Sequence, residues 1–355
     1  MNIKPLRIGD ISLSTPIIQG GMGVGVSLAG LASAVTRSGG LGVISSAQIG
    51  FREPTFAEHP RESNLIALKK EIQLAKDKCN NGPIGVNIMV ATKGYADYIK
   101  TAIEAGIDVI ISGAGLPTML PKLVKDSKVK IAPIVSSLKG AKVLLKLWDR
   151  HDNVAPDMVV IEGPKAGGHL GFNADTLDED IENFDKTIPD IIEEVKKYSV
   201  KYSKEIPVIV AGGVFDGDDV AKYLNIGANG VQMGTRFVAT EECDASLEYK
   251  MSYVNSKKED ITIVKSPVGM PGRAIINPFV SKTREHRIPI SKCYGCLVPC
   301  NPAESPYCIS KALINAVDGH LDEGLLFCGA NAYKVDKITT VDAIFTEIKN
   351  RLLEL

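Results

Sequence analysis

The sequence predicts an α/β protein, a (β/α)8 TIM barrel with a small second domain after its eighth strand. Short apolar runs recur eight times, at 16–20, 41–45, 84–90, 109–114, 131–136, 158–163, 207–213 and 230–237. Stretches of helical periodicity separate them, as in 65–79, where Leu65, Leu68, Ile72 and Ala75 form a stripe. Strands alternating with helices imply right-handed βαβ units, and eight units in roughly 240 residues is barrel size. A doubly wound open sheet is the rival, but no G-x-G-x-x-G follows the first run.

Taken in order, the ends of these runs are rich in glycine and small polar residues. The first ends Gln19-Gly20-Gly21-Met22-Gly23, the third contains Asn87, and the fourth ends Ser112-Gly113-Ala114-Gly115. The sixth, Met158-Val159-Val160-Ile161, reads as a buried parallel strand and leads through Glu162 and Lys165 into Ala166-Gly167-Gly168-His169-Leu170-Gly171. The seventh ends Ala211-Gly212-Gly213-Val214, and the eighth carries Gln232-Met233-Gly234-Thr235-Arg236. One such end is an ordinary tight turn. Six at the C-terminal level, where this fold places its chemistry, predict a site. Glycine lets the backbone pass close to a flat or anionic ligand, and His169 puts an acid/base group at a strand end. The N–H groups of Gly212, Gly213, Gly234 and Thr235, with the Thr235 hydroxyl, are placed to bind phosphate. The ligand is therefore expected to be a phosphorylated cofactor or substrate.

Composition narrows the class. Lys plus Arg number 41 and Asp plus Glu 42 in 355 residues, which argues against a nucleic-acid or membrane-surface binder. No run approaches the ~18 apolar residues that span a bilayer, and the N-terminus lacks a signal-peptide core. A cytoplasmic protein is expected. Seven cysteines suggest reduced thiols or metal ligands rather than a disulfide framework.

These strings, with Gly85-Val86-Asn87 and Ser266-Pro267-Val268-Gly269-Met270-Pro271-Gly272-Arg273-Ala274, resemble the flavin-dependent nitronate monooxygenases, formerly 2-nitropropane dioxygenases. Their relatives are the flavin-dependent enoyl-acyl-carrier-protein reductases. The matches run in the family's order over most of the chain. The resemblance implies FMN: Gly20, Gly21 and Met22 against the ring and ribityl chain, Asn87 on the isoalloxazine edge, Gly167 and Gly168 in close backbone approach. Gly212, Gly213 and the run Gln232, Met233, Gly234 and Thr235 are expected at the phosphate, and His169 matches the catalytic histidine. Glu162, also expected at the cofactor, stands where the family often has Gln, and Lys165 where it has Glu. An ionised Glu cannot donate to a flavin as an amide can, and Lys165 is placed to offset its charge.

The implied reaction is oxidation of nitronates or nitroalkanes with O2 through a flavin semiquinone, His169 holding the anion or removing the α-proton of a neutral nitroalkane. The alternative is reduction of an enoyl thioester with NAD(P)H on the same FMN. The expected partners are thus a small substrate and O2 or NAD(P)H, and a homodimer is admissible. A barrel over 1–240, completed by a helix within 325–355, and a small lid over 241–324 are expected. In that lid, Cys293, Cys296, Cys300 and Cys308 follow C-x2-C-x3-C-x7-C. Three readings stand open: an iron–sulfur cluster, zinc, or a metal-free cysteine-rich turn.

Overall fold

The computed structural model describes residues 3–355. All eight runs form strands: β1 (Ile17–Gln19), β2 (Gly42–Ser45), β3 (Ile84–Met89), β4 (Val109–Gly113), β5 (Lys130–Val135), β6 (Val159–Glu162), β7 (Val208–Ala211) and β8 (Gly230–Met233). They make one parallel sheet in the order β1-β8-β7-β6-β5-β4-β3-β2. The ring closes at a parallel bridge between Ile18 and Leu41, with the Gln19 N–H donating to the Leu41 carbonyl at 2.9 Å. The protein is a TIM-type α/β barrel.

Alternation along each strand sorts side chains into two cores. Ile18, Leu41, Val43, Val109, Ile111, Ala132, Met158, Val160, Ile209 and Ala211 fill the barrel interior. Their neighbours one residue on, among them Ile17, Ile44, Ile110, Ile161, Val210 and Val231, pack outward beneath the helices. An N-terminal hairpin, Leu6–Ile8 with Ile11–Leu13, adds Leu6, Ile8 and Leu13 to the interior cluster.

The helices are α1 (Ala29–Arg37), α2 (Pro60–Lys78), α3 (Tyr95–Glu104), α4 (Leu120–Val124), α5 (Leu138–Asp152), α6 (Leu177–Tyr202), α7 (Gly217–Ile226) and α8 (Thr235–Val238). The eighth apolar run stops being strand at Met233, because the chain turns into α8 two residues later. That helix has four residues and cannot cover its strand. After α9 (Leu247–Val254), α10 (Pro278–Glu285) and α11 (Ile309–Val317), the last helix, α12 (Val341–Glu354), packs on α1 and α7 and fills the gap. Thr340 caps it, accepting the Ala343 N–H at 3.2 Å, and Val341, Ile344, Phe345 and Ile348 are buried. Among the described residues no helix is long and apolar enough to cross a membrane.

The segment after β8 is tied to α1 by a carboxylate. Asp244 accepts the N–H groups of Leu28 (2.8 Å), Leu31 (3.1 Å) and Gly30 (3.1 Å), while Glu71 takes that of Ala29 at 2.8 Å. These are the donors a helix N-terminus leaves without intrahelical partners. Asp244→Ala strands three of them and is expected to cost about 2–4 kcal/mol in urea unfolding; a loss under about 0.5 kcal/mol would show that water replaces the carboxylate.

Candidate active site

A cavity of about 490 Å³ opens at the C-terminal end of the barrel. Strand alternation explains its floor. Met158 and Val160 of the β6 region point inward, so Glu162 tops the same inward row. Asn87 and Gln232 hold the equivalent places on β3 and β8, and all three line the cavity. So do Gly20, Gly21, Met22, Gly167, Gly168, His169, Gly212, Gly213, Gly234 and Thr235. Met233 does not. It belongs to the outward row of β8, is 1% exposed beneath the helices, and gives the floor only its carbonyl, which accepts the Gly20 N–H at 2.8 Å. This parity sets the Met233 side chain outside the cavity.

The ends of β7 and β8 border the cavity with glycine backbone. Gly212 and Gly213 adopt φ of +94° and +89°, a conformation side chains rarely permit. A Cβ on Gly212 would lie 2.7 Å from the Gly163 carbonyl oxygen. Among the described residues, no acceptor meets the N–H groups of Gly212, Gly213, Gly234 or Thr235. Residues from the far end of the chain brace this corner. The Gly329 N–H donates to Thr235 Oγ1 at 3.0 Å, leaving that hydroxyl its own proton to offer, and Asn331 Nδ2 donates to the Gly213 carbonyl at 2.7 Å.

His169 is not at the end of β6. Glu162 is followed by a turn, and residues Gly168–His169 form a separate two-residue strand on a three-stranded antiparallel sheet with Ile261–Lys265 and Pro271–Ile275. The register pairs His169 with Gly272 and Gly168 with Arg273. Arg273 is buried and donates to the Ala166 carbonyl, fixing the glycine turn from behind. The ring of His169 meets Phe327 edge-on at 5.1 Å, and its Nε2 shares a 2.6 Å hydrogen bond with Ser266 Oγ. Burial lowers its pKa to about 4, so the imidazole is neutral at neutral pH. Ser266 and Phe327 carry no sequence signal pointing at the histidine. Only the pairing of strands about a hundred residues apart brings them there.

Glu162 has no hydrogen-bond or ion-pair partner among the described residues, and burial lifts its carboxyl to about 7. Lys165 lines the same cavity but makes no ion pair with it, its stem lying against Gly213. The expected charge compensation is absent.

The cysteine-rich segment lies off this cavity. Its backbone docks on the β3–α3 connection, with a bridge between Thr92 and Leu297 and the Lys93 N–H donating to the Cys296 carbonyl at 3.0 Å. Cys293 is exposed, Cys296 and Cys300 pack on an apolar cluster, and Cys308 caps α11. Among the described residues no three His, Cys, Asp or Glu side chains stand together as a metal site requires. As arranged, the four thiols do not form the ligand group that an iron–sulfur cluster or zinc requires.

With this geometry in place, the comparison with protein families is decisive: the model for nitronate monooxygenases matches residues 4–350. The chain belongs to the nitronate monooxygenase family. A probable nitronate monooxygenase from Staphylococcus saprophyticus is 27% identical over 310 residues, spanning 81% of this chain and 82% of that one. A (3aS,4S,5R,7aS)-5-hydroxy-7a-methyl-1-oxo-octahydro-1H-indene-4-carboxyl-CoA dehydrogenase from Mycobacterium tuberculosis is 29% identical over 272 residues, 77% of this chain and 66% of its own. The structure of FabK from Thermotoga maritima superposes with a TM-score of 0.73 at 29% identity, covering 96% of this chain and 94% of that one. This member of the nitronate monooxygenase family is thus an oxidoreductase whose cavity combines a corner of unpaired backbone N–H groups, a neutral histidine and an unpaired carboxyl.

Proposed function

We propose that this chain is an FMN-dependent nitronate monooxygenase, a cytoplasmic enzyme that oxidises small nitronates and nitroalkanes with O2. The observation that carries the reading is the cluster of unpaired N–H groups at Gly212, Gly213, Gly234 and Thr235, opening into the cavity that His169 also lines. Four backbone donors and a hydroxyl suit a phosphate. Gly20, Gly21, Gly167 and Gly168 leave the walls between that corner and the histidine without side chains, which suits a flat ring. The volume lies within the range of cofactor sites. FMN, when bound, supplies the electron-transfer chemistry that lets an electron-rich nitronate react with oxygen.

The chain's own residues then do three things. Asn87 and Gln232 offer amide groups to the ring edge from the barrel floor. His169, positioned by the hydrogen bond between its Nε2 and Ser266 Oγ, offers a neutral imidazole to the substrate anion. The cover, through Tyr253, Phe327 and Cys328, walls the cavity with apolar surface and keeps water from the reacting carbon. A lid over 241–324 on a barrel over 1–240 is the division this reading uses.

A second reading, NAD(P)H-dependent reduction of an enoyl thioester, draws on one further observation. An open cleft of about 610 Å³ adjoins the cavity through Gly171 and Met270 and is lined by Leu170, Phe172, Ile263 and Pro271. It has room for an acyl chain. Anaerobic titration separates the two. The purified protein is expected to show flavin absorption that bleaches with propionate 3-nitronate and only slowly with NADPH. Full, fast bleaching with NADPH would assign the reductase, and a colourless protein that takes up no FMN would end both readings.

A further inference from the structure

Six ionisable side chains line the cavity: Glu162, Lys165, His169, Tyr249, Tyr253 and Cys328. Four of them do not change charge where Glu162 does. Tyr249 and Tyr253, on α9, are pushed well above the usual tyrosine range by burial. The Cys328 thiol is pushed up to about 12, and His169 is held neutral. Lys165 stands on the turn after β6, its stem against Gly213 and its head exposed. The strands flanking Glu162 bring no charge: Ala211 of β7 is its registered partner, and β5 contributes Ile134 and Val135. Asn87 on β3 and Gln232 on β8 are neutral amides. No cation, no N–H and no hydroxyl among the described residues meets the carboxyl. An ionised carboxylate in that place has neither counter-charge nor donor, and a ligand that seals the cavity removes the water that would otherwise solvate it.

We infer that Glu162 is the proton-carrying group of this cavity: it stands as the neutral carboxylic acid when a planar ligand seals the site, and it presents its O–H to an acceptor atom of that ligand. The ligand half of this inference rests on the FMN reading above. Protonation turns an acceptor-only side chain into a donor, so the floor of the barrel holds a third donor beside the amides of Asn87 and Gln232. Ionisation gives the proton to water, deletes that donor and leaves a negative charge against the ring. Ligand affinity is then linked to pH. If the protonated form alone binds, affinity falls up to about tenfold for each pH unit above about 7 and is flat below about 6.

Two measurements test this, with Glu162→Gln as the comparison because the amide keeps the volume and a donor and cannot ionise. The first is the infrared difference between wild-type protein and Glu162→Gln, taken on the purified protein with and without FMN. At about pH 6 the difference is expected to contain the C=O stretch of a protonated carboxylic acid, which gives way to carboxylate bands as pH rises through about 7 without FMN and at higher pH with it. The second is FMN affinity of the stripped protein, followed by quenching of flavin fluorescence. Wild-type affinity is expected to fall steeply above about pH 7, and Glu162→Gln to bind with near pH-independent affinity close to the wild-type value at low pH. A missing acid band at about pH 6, a flat wild-type profile, or a Glu162→Gln profile as steep as wild type overturns the inference. Failure to bind FMN at any pH refutes the cofactor reading instead, and the infrared spectrum of the protein as purified still decides whether Glu162 holds a proton.

Discussion

Gly234→Val is expected to give a folded protein that no longer retains FMN. The backbone at Gly234 has φ of −120° and ψ of −68°, negative in φ but outside the α and β regions, so valine is seated there at a modest cost. An added Cβ would lie 3.3 Å from Met22 Sδ, with no backbone atom nearby, and a flexible thioether can give way by that much. Valine's two methyl groups then occupy the corner where the N–H groups of Gly212, Gly213 and Thr235 converge. The fold loses roughly 1–3 kcal/mol, while FMN affinity falls at least about 100-fold, the loss of several charge-assisted hydrogen bonds. Equilibrium dialysis of the stripped protein, with urea unfolding beside it, reads both quantities. Gly212→Val is the contrast. There the Cβ meets the Gly163 carbonyl at 2.7 Å and φ is +94°, so stability falls first. Wild-type FMN content in Gly234→Val would move the phosphate elsewhere.

His169→Ala is expected to keep FMN and to lower turnover by about 10²–10³-fold. The side chain lies on the cover sheet, away from the anion corner, so cofactor binding does not depend on it. Its role in a nitronate reaction is that of a neutral imidazole, and the sign of its pKa shift makes the test sharp. A histidine whose pKa is lowered to about 4 has already lost its proton throughout the neutral range. Any limb in the wild-type pH–rate profile near pH 7 therefore belongs to another group and must persist in the residual activity of His169→Ala. If that limb vanishes with the histidine, His169 titrates near 7 and the burial argument fails. Comparing a neutral nitroalkane with its preformed nitronate adds a second discrimination. An imidazole this weakly basic contributes little to proton removal, so similar losses on both substrates are expected.

The barrel was legible because its signal is local: eight apolar runs at regular intervals, each ending in small residues, survive any detail of packing. That Gly212, Gly213, Gly234 and Thr235 meet at one corner was legible for the same reason, since they sit at strand ends whatever lies across from them. Parity along β8 could also have been read from the sequence. Val231 and Met233 alternate with Gly230 and Gln232, and counting from the cavity-facing Gln232 puts Met233 outside. What surrounds His169 could not be read. Its strand has two residues, far too short for a periodic pattern, and exists only because Pro271–Ile275 supplies the hydrogen bonds. Gly329 and Asn331 brace the glycine corner from beyond residue 325, with nothing in their spacing to connect them to it. The four cysteines follow a spacing compatible with a cluster, but spacing does not fix direction, and in the fold no three of them stand together as ligands.

That two-residue strand also sets what counts as a transferable part. The histidine belongs by sequence to the loop after β6 and by hydrogen bonding to a sheet whose other members start nearly a hundred residues later. Grafting the β6–α6 loop onto another barrel would carry the imidazole without the Ser266 hydroxyl, the Arg273 brace or the Phe327 edge that surround it here. Recombination that preserves this chemistry has to move residues 163–171 and 261–275 together with Phe327. The surroundings of His169 are thus built from three separate segments of the chain, and no single loop carries them.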